Sequence, residues 1–266
     1  MEFVQILLLA ALVAASIVGY ARGFRMVYVL NEGKVRVDRY TRLDALLAGL
    51  LVLFLIAICF SAFGSKQTID PRRVDTLRLI FAVLGQWGVI IGTLIVLFVL
   101  RGIPPTTLFG LDQMRIRKVI GIAVCLLLVA LPLVFATNVV ISQLLKIDSQ
   151  QDSQEIVQIF QSTTNPIKKL PIVLLAVVVA PLAEEFVFRG FLYGVLKRYF
   201  GSLPSLLFTG ILFALMHFHL PSLLPLFVLA CALTIAYEMS GTLLVPMAMH
   251  ALFNSLTLVL VSLTGQ

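Results

Sequence analysis

The stretch AEEFVFRG, residues 183–190, sets Glu184, Glu185 and Arg189 inside a run otherwise made of Leu, Val, Ala and Phe. Two polar pairs follow downstream, His217 with His219 and His250 with Asn254. A carboxylate, two imidazoles and a side-chain amide suit activation of a water molecule and its attack on a carbonyl. The carboxylate is the natural general base and an imidazole shares or relays the proton. His and Asn N–H groups stabilise an oxyanion, each donor being worth roughly 10²–10³ in rate. The same set suits a zinc ion held by Glu184, His217 and His250, with a bound water as nucleophile. The residue types leave both chemistries open.

Helix geometry separates the roles. Glu185 and Arg189 lie four apart, share a face and pair directly, whereas Glu184 points about 100° away. A lock between helices accounts for the Glu185–Arg189 pair as well as a reactive site does. It does not account for Glu184, a second charge that costs roughly 2.5–3.5 kcal/mol at mid-bilayer. Pro181, one turn earlier, removes a backbone hydrogen bond and opens or kinks the helix at that depth. Gly190 and Gly194 form a small-xxx-small face for close packing. His217 and His219 are two apart, about 200° on a helix, so they face one site only if the helix ends on its approach to Pro221. His219 reads as an interfacial residue. His250 and Asn254, four apart, form a single polar ridge.

Other hydrolytic chemistries fit poorly. The chain has no H-E-x-x-H pattern for a helix-borne zinc site. No aspartate follows Asp152, which removes an aspartyl dyad from the C-terminal half. Ser240-Gly241 has Glu238 where a serine-nucleophile turn wants glycine, and His250 is only ten residues on, roughly 15 Å along a helix.

The elements that must position these residues are membrane helices. Of 266 residues, 60% are hydrophobic and 12% charged, and the mean hydropathy is +1.06; a soluble domain carries about 25% charged residues. Apolar runs near 3–21, 45–63, 79–100, 119–142, 171–196, 203–219, 222–238 and 243–263 predict an all-α polytopic membrane bundle of about eight transmembrane helices. Cys59, Cys125 and Cys231 all fall in these runs, so a disulfide framework is not expected. The first run carries Glu2 and is followed by Arg22 and Arg25, the pattern of a retained anchor with its N-terminus outside. That orientation puts twelve Lys/Arg in the inside loops 22–44, 101–118 and 197–202, against seven in the outside loops 64–78 and 143–169. The net charge of +7 is thereby explained by topology and anionic lipid, and nucleic acid is excluded as a partner.

The chain divides at the polar stretch 146–169, KIDSQQDSQEIVQIFQSTTNPIKK. Residues 1–145 form a four-helix membrane region with no ionisable residue near a span centre, and residues 170–266 hold every histidine and the Glu-Glu-Arg cluster. Within the connection Ile156, Val157 and Phe160 are able to share a face, so an interfacial amphipathic helix and an exposed linker are both open.

The order Glu184-Glu185-x-x-x-Arg189, Phe213-x-x-x-His217 and His250-x-x-x-Asn254 resembles the three-motif signature of the CPBP family. These are the type II CAAX prenyl endopeptidase-like or Abi proteins, intramembrane endopeptidases. The resemblance covers about residues 170–263. It implies a bundle with a catalytic cavity opening into the membrane, Glu184 as the base that activates water and His217 assisting it. It further implies His250 and Asn254 at the oxyanion and Glu185–Arg189 holding the shape of the site. Both metal-dependent and metal-free glutamate mechanisms are described for such proteins, so a zinc cofactor on Glu184, His217 and His250 stays open. The implied substrate is a membrane-associated protein or peptide, and the implied setting is the plasma membrane of a bacterium. The alternatives are a non-catalytic scaffold or immunity protein of the same family and a proton-coupled transporter. Polar residues confined to one half argue against the transporter, which favours two inverted halves.

Overall fold

The computed structural model describes residues 2–64, 76–145 and 154–263. All regular structure among them is helical: α1 (Glu2–Phe24), α2 (Arg42–Gly64), α3 (Thr76–Leu100), the short α4 (Pro105–Leu108), α5 (Ile116–Leu145), α6 (Glu155–Ser162), α7 (Pro166–Phe200), α8 (Ser202–Leu215), α9 (Leu223–Ser240) and α10 (Leu244–Leu263). Six are long and apolar enough to cross a membrane, namely α1, α2, α5, α7, α9 and α10. The Trp87–Leu100 part of α3 and the whole of α8 are shorter apolar helices. The chain is an integral, multi-pass membrane protein. Its outward faces carry Leu53, Phe60, Leu128 and Leu263 exposed, which costs nothing against hydrocarbon. Cys59, Cys125 and Cys231 are all unpaired thiols.

The predicted run 203–219 ends early, at Leu215. Phe218 takes a left-handed backbone (φ 50°) and His219 is extended (φ −128°, ψ 101°), which breaks the helix before Pro221. Residues 146–153 of the polar connection lie outside the described residues. The rest of it resolves in favour of packing: Val157, Ile159 and Phe160 of α6 are buried, the last two in a cluster with Ile172 and Ala176 of α7 and Leu258 of α10.

The long helix α7 positions the Glu-Glu-Arg cluster, and its sequence explains its shape. Asn165 caps the start by accepting from the Ile167 N–H at 2.9 Å, and Pro166 follows where no donor is needed. The helix widens to π geometry over Leu175–Val179, just before Pro181, and again over Phe186–Tyr193, directly after the glutamates. Such widened turns recur at functional sites. Lys197 and Arg198 occupy the last turn, where they face the negative end of the helix dipole, and Gly201 (φ 83°) ends it. Around α7, α8 packs on α9, while α5 packs on α1, α9 and α10. A set of edge-to-face aromatic rings fills the space beside the cluster: Phe98–Phe109, Phe98–Phe191, Phe109–Phe186 and Phe188–Phe213, at 5.0–6.2 Å between centroids.

The connection between α1 and α2 runs as a strap across one end of the bundle. Tyr40, buried, donates its hydroxyl to the Gly190 carbonyl at 2.6 Å. Gly194 faces the Tyr40 ring so closely that an added Cβ would lie 2.6 Å from it, and a Cβ on Gly190 would lie 3.1 Å from Phe109. The small-xxx-small face thus admits two aromatic rings rather than another helix backbone.

Candidate active site

Three helices converge on one buried polar cluster. On α7, Arg189 Nη1 donates to Glu185 Oε1 at 2.7 Å, with both side chains at most 1% exposed. The pairing expected from their spacing survives the widened turn between them. Arg189 Nη2 also donates to the Ala230 carbonyl of α9 at 3.2 Å, and the guanidinium lies 4.4 Å over the Phe213 ring. The charge is therefore held from three sides.

From α10, His250 reaches between the two glutamates. Its Nδ1 is 2.9 Å from Glu185 Oε1 and its Nε2 is 3.9 Å from Glu184 Oε2. The two ring nitrogens point to opposite edges, so one imidazole spans the divergence between neighbouring helix positions. Asn254, one turn on, donates Nδ2–H to the Ala176 carbonyl at 2.8 Å, inside the first widened turn of α7. The polar ridge on α10 thus grips α7 at two levels.

His217 lies in the turn just after α8. Its Nδ1 is 2.8 Å from the Phe213 carbonyl. A carbonyl only accepts, so Nδ1 carries the proton and Nε2 presents a lone pair. Phe213, fully buried, lies 4.8 Å from the His217 ring and 5.7 Å from the His250 ring. It is the common wall of both histidines and Arg189. His219 turns elsewhere, with Nδ1 2.7 Å from the Ser222 hydroxyl.

Glu184 differs from its neighbour. Its side chain is 17% exposed against 0% for Glu185; Oε2 of each is buried without a hydrogen-bond partner, but only Glu185 has its other oxygen held by Arg189 and His250. An ionised oxygen in that state is costly unless something else binds there. Among the described residues no group of three His, Cys, Asp or Glu stands at metal-holding separations. The donor set does not fit a resident zinc ion, which wants ligand atoms about 2.0–2.2 Å from the metal.

Another buried carboxylate was not assigned a role from sequence. Glu238, near the end of α9, is fully buried and accepts from the Tyr193 hydroxyl and Lys197 Nζ, both at 2.5 Å, and from the Val35 N–H at 3.1 Å. Its own carbonyl accepts from the Lys34 N–H at 2.9 Å. It fastens the α1–α2 strap to α7 and α9. The available signal was an acid inside the apolar run 222–238. Ser240 and Gly241 next to it form a helix end, with Gly241 left-handed (φ 75°) and the Ser240 hydroxyl turned to the Tyr237 and Thr242 carbonyls.

A polytopic helix bundle with paired carboxylates, two imidazoles and an amide gathered in its interior is the class of membrane protein in hand. Residues 166–256 match the family model described as Rce1-like, type II CAAX prenyl endopeptidase Rce1-like. The match spans α7, α8, α9 and most of α10, and with them Glu184, Glu185, Arg189, His217, His250 and Asn254. No curated protein and no solved structure matches the chain.

Proposed function

We propose that the protein is an intramembrane endopeptidase that hydrolyses peptide bonds of membrane-associated proteins or peptides, using a water activated by Glu184. The observation that carries this reading is the buried, unpartnered Glu184 Oε2 facing His250 Nε2 within the segment that matches an endopeptidase family model. Glu184 takes a proton from water as the water oxygen adds to the carbonyl carbon. His217, with its Nε2 lone pair available, assists that transfer. The carbonyl oxygen becomes an oxyanion, to which His250 Nε2 and the second N–H of Asn254 donate. For this, the His250 ring carries protons on both nitrogens, with Glu185 accepting from Nδ1. Glu184 then delivers its proton to the departing amine as the C–N bond breaks.

In this reading Glu185 is a positioning residue that fixes the His250 ring and neutralises Arg189. The enzyme sits in the plasma membrane of a bacterium with the Arg-rich loops inside. Comparison of membrane proteomes from cells carrying wild type or Glu184→Gln tests activity and nominates substrates together. The expected result is intact substrates accumulating with Glu184→Gln while the purified variant keeps its thermal midpoint. Unchanged proteolysis by a folded Glu184→Gln protein overturns the assignment.

A further inference from the structure

The structure draws three distant loops to the end of the bundle where the strap lies. Lys197 Nζ donates to the Val35 carbonyl at 3.1 Å, and Arg198 Nη1 to the Val37 carbonyl at 3.0 Å. Arg101 Nη1 pairs with the buried Asp44 at 2.6 Å, and its Nη2 donates to the Arg39 carbonyl at 3.1 Å. The Leu243 N–H donates to the Phe109 carbonyl at 2.9 Å. The loops that carry twelve of the twenty Lys/Arg are thereby one surface.

Within that surface a cavity of about 140 Å³ opens between the strap and the α3–α5 connection. Its walls are of two kinds. Arg36, Arg39 and Thr107 supply donors and Asp38 a carboxylate, while Ile103, Pro104 and Leu108 supply apolar surface. The cavity stands between the start of α2 at Arg42 and the end of α3 at Leu100, the level at which apolar helices give way to polar loops. Donors and apolar surface together at that level match a phospholipid where head group meets glycerol.

The charge of the cavity is available. Asp38 is the one carboxylate that lines it, and the buried Asp44 nearby is taken by Arg101 and by the Thr41 N–H and hydroxyl. Asp38 meets Arg39 at 3.4 Å, but both side chains are more than two-thirds exposed, and an exposed pair of this kind binds weakly. No carboxylate pairs with Arg36 among the described residues. Arg198, whose hydrogen bond goes to a neutral carbonyl, adds its charge beside the strap.

We infer that this cavity binds the phosphate of an anionic phospholipid head group. Arg supplies forked donors suited to phosphate oxygens, and basic pockets between membrane helices recognise acidic lipids. The site borders the parts that hold the catalytic helix. Tyr40, next to Arg39, reaches Gly190, and Phe109, next to Leu108, packs on Phe186 at 5.0 Å. A bound head group therefore ties together the strap and the connection that brace α7.

The test uses the full chain in nanodiscs of phosphatidylcholine with or without phosphatidylglycerol. The readouts are the thermal midpoint and the lipid retained in native mass spectra. Phosphatidylglycerol is expected to raise the midpoint and remain bound at one copy. Arg36→Gln/Arg39→Gln is expected to weaken this binding by one to two orders of magnitude, given about 1 kcal/mol per surface Lys or Arg toward acidic lipid. Arg115→Gln/Arg117→Gln removes the same charge from the same end outside the cavity and is expected to leave retention intact. The inference is overturned by equal midpoints in the two lipids, by retention in the first variant, or by equal loss in the second. Inorganic phosphate alone reproducing the shift also overturns it, since the ligand is then a free anion.

Discussion

Glu185 Oε1 lies 2.9 Å from His250 Nδ1, joining α7 to α10 through the same oxygen that holds Arg189 at 2.7 Å. One carboxylate oxygen thus sets the charge balance of a buried arginine and the orientation of an imidazole. The consequence is that the lock and the reactive cluster are one network, in which a change at Glu185 is felt in both.

Glu185→Gln is expected to lower stability by about 3–5 kcal/mol, because it strands a buried guanidinium. Arg189→Leu is expected to do the same by stranding the carboxylate. Thermal unfolding of the detergent-extracted protein checks both, and unchanged midpoints would mean that the pair is not what holds α7 in place.

Asn254→Leu separates two uses of one amide. Loss of the bond to Ala176 costs about 0.6 kcal/mol, the mean for a polar contact between membrane helices. Loss of the other N–H from the oxyanion lowers kcat by roughly 10²–10³ with KM little changed. A variant with reduced stability and full kcat would reduce Asn254 to a strut.

Gly194→Ala puts a Cβ against the Tyr40 ring and is expected to cost about 1–3 kcal/mol through overpacking. Tyr40→Ala removes the obstacle, so the double variant should lose less than the two single losses combined. A double-mutant cycle on the thermal midpoint measures that coupling.

Glu238→Gln withdraws the charge facing Lys197 and loosens the strap. Limited proteolysis should then cut within residues 31–39 faster than in wild type. Equal cleavage rates would place the anchoring of the strap with Tyr40 and Arg198 instead.

Active purified protein is expected to keep its proteolysis after chelation and dialysis, with substoichiometric zinc by elemental analysis. Activity that falls on chelation and returns with zinc would reassign Glu184, His217 and His250 as ligands.

The parts legible from sequence were those fixed within one helix. The spacing of Glu185 and Arg189 foretold their ion pair, whereas the apolar run 203–219 overran the end of α8 and Pro221 only left a break before it open. The position of His250 between two glutamates was not legible, since it depends on how α10 lies against α7 across 65 residues of chain. The bond from Asn254 to Ala176 depends in addition on a widened turn, for which Pro181 signalled an opened helix but not which carbonyl it would free. Glu238 was visible as an acid in an apolar run, but its partners Tyr193 and Lys197 are 45 and 41 residues away. Sequence supplied the charges and tertiary packing supplied their neighbours.

The early end of α8 bears on where solvent meets the bundle. Fourteen residues rise about 21 Å, well short of a hydrocarbon core of about 30 Å. The turn from Met216 to His219 therefore comes while lipid tails still surround the bundle, and its non-helical backbone needs protein or water around it at that depth. The proposed hydrolase needs a supply of water, and this shortfall in length places His217 on non-helical backbone that calls for water or protein partners at the same depth.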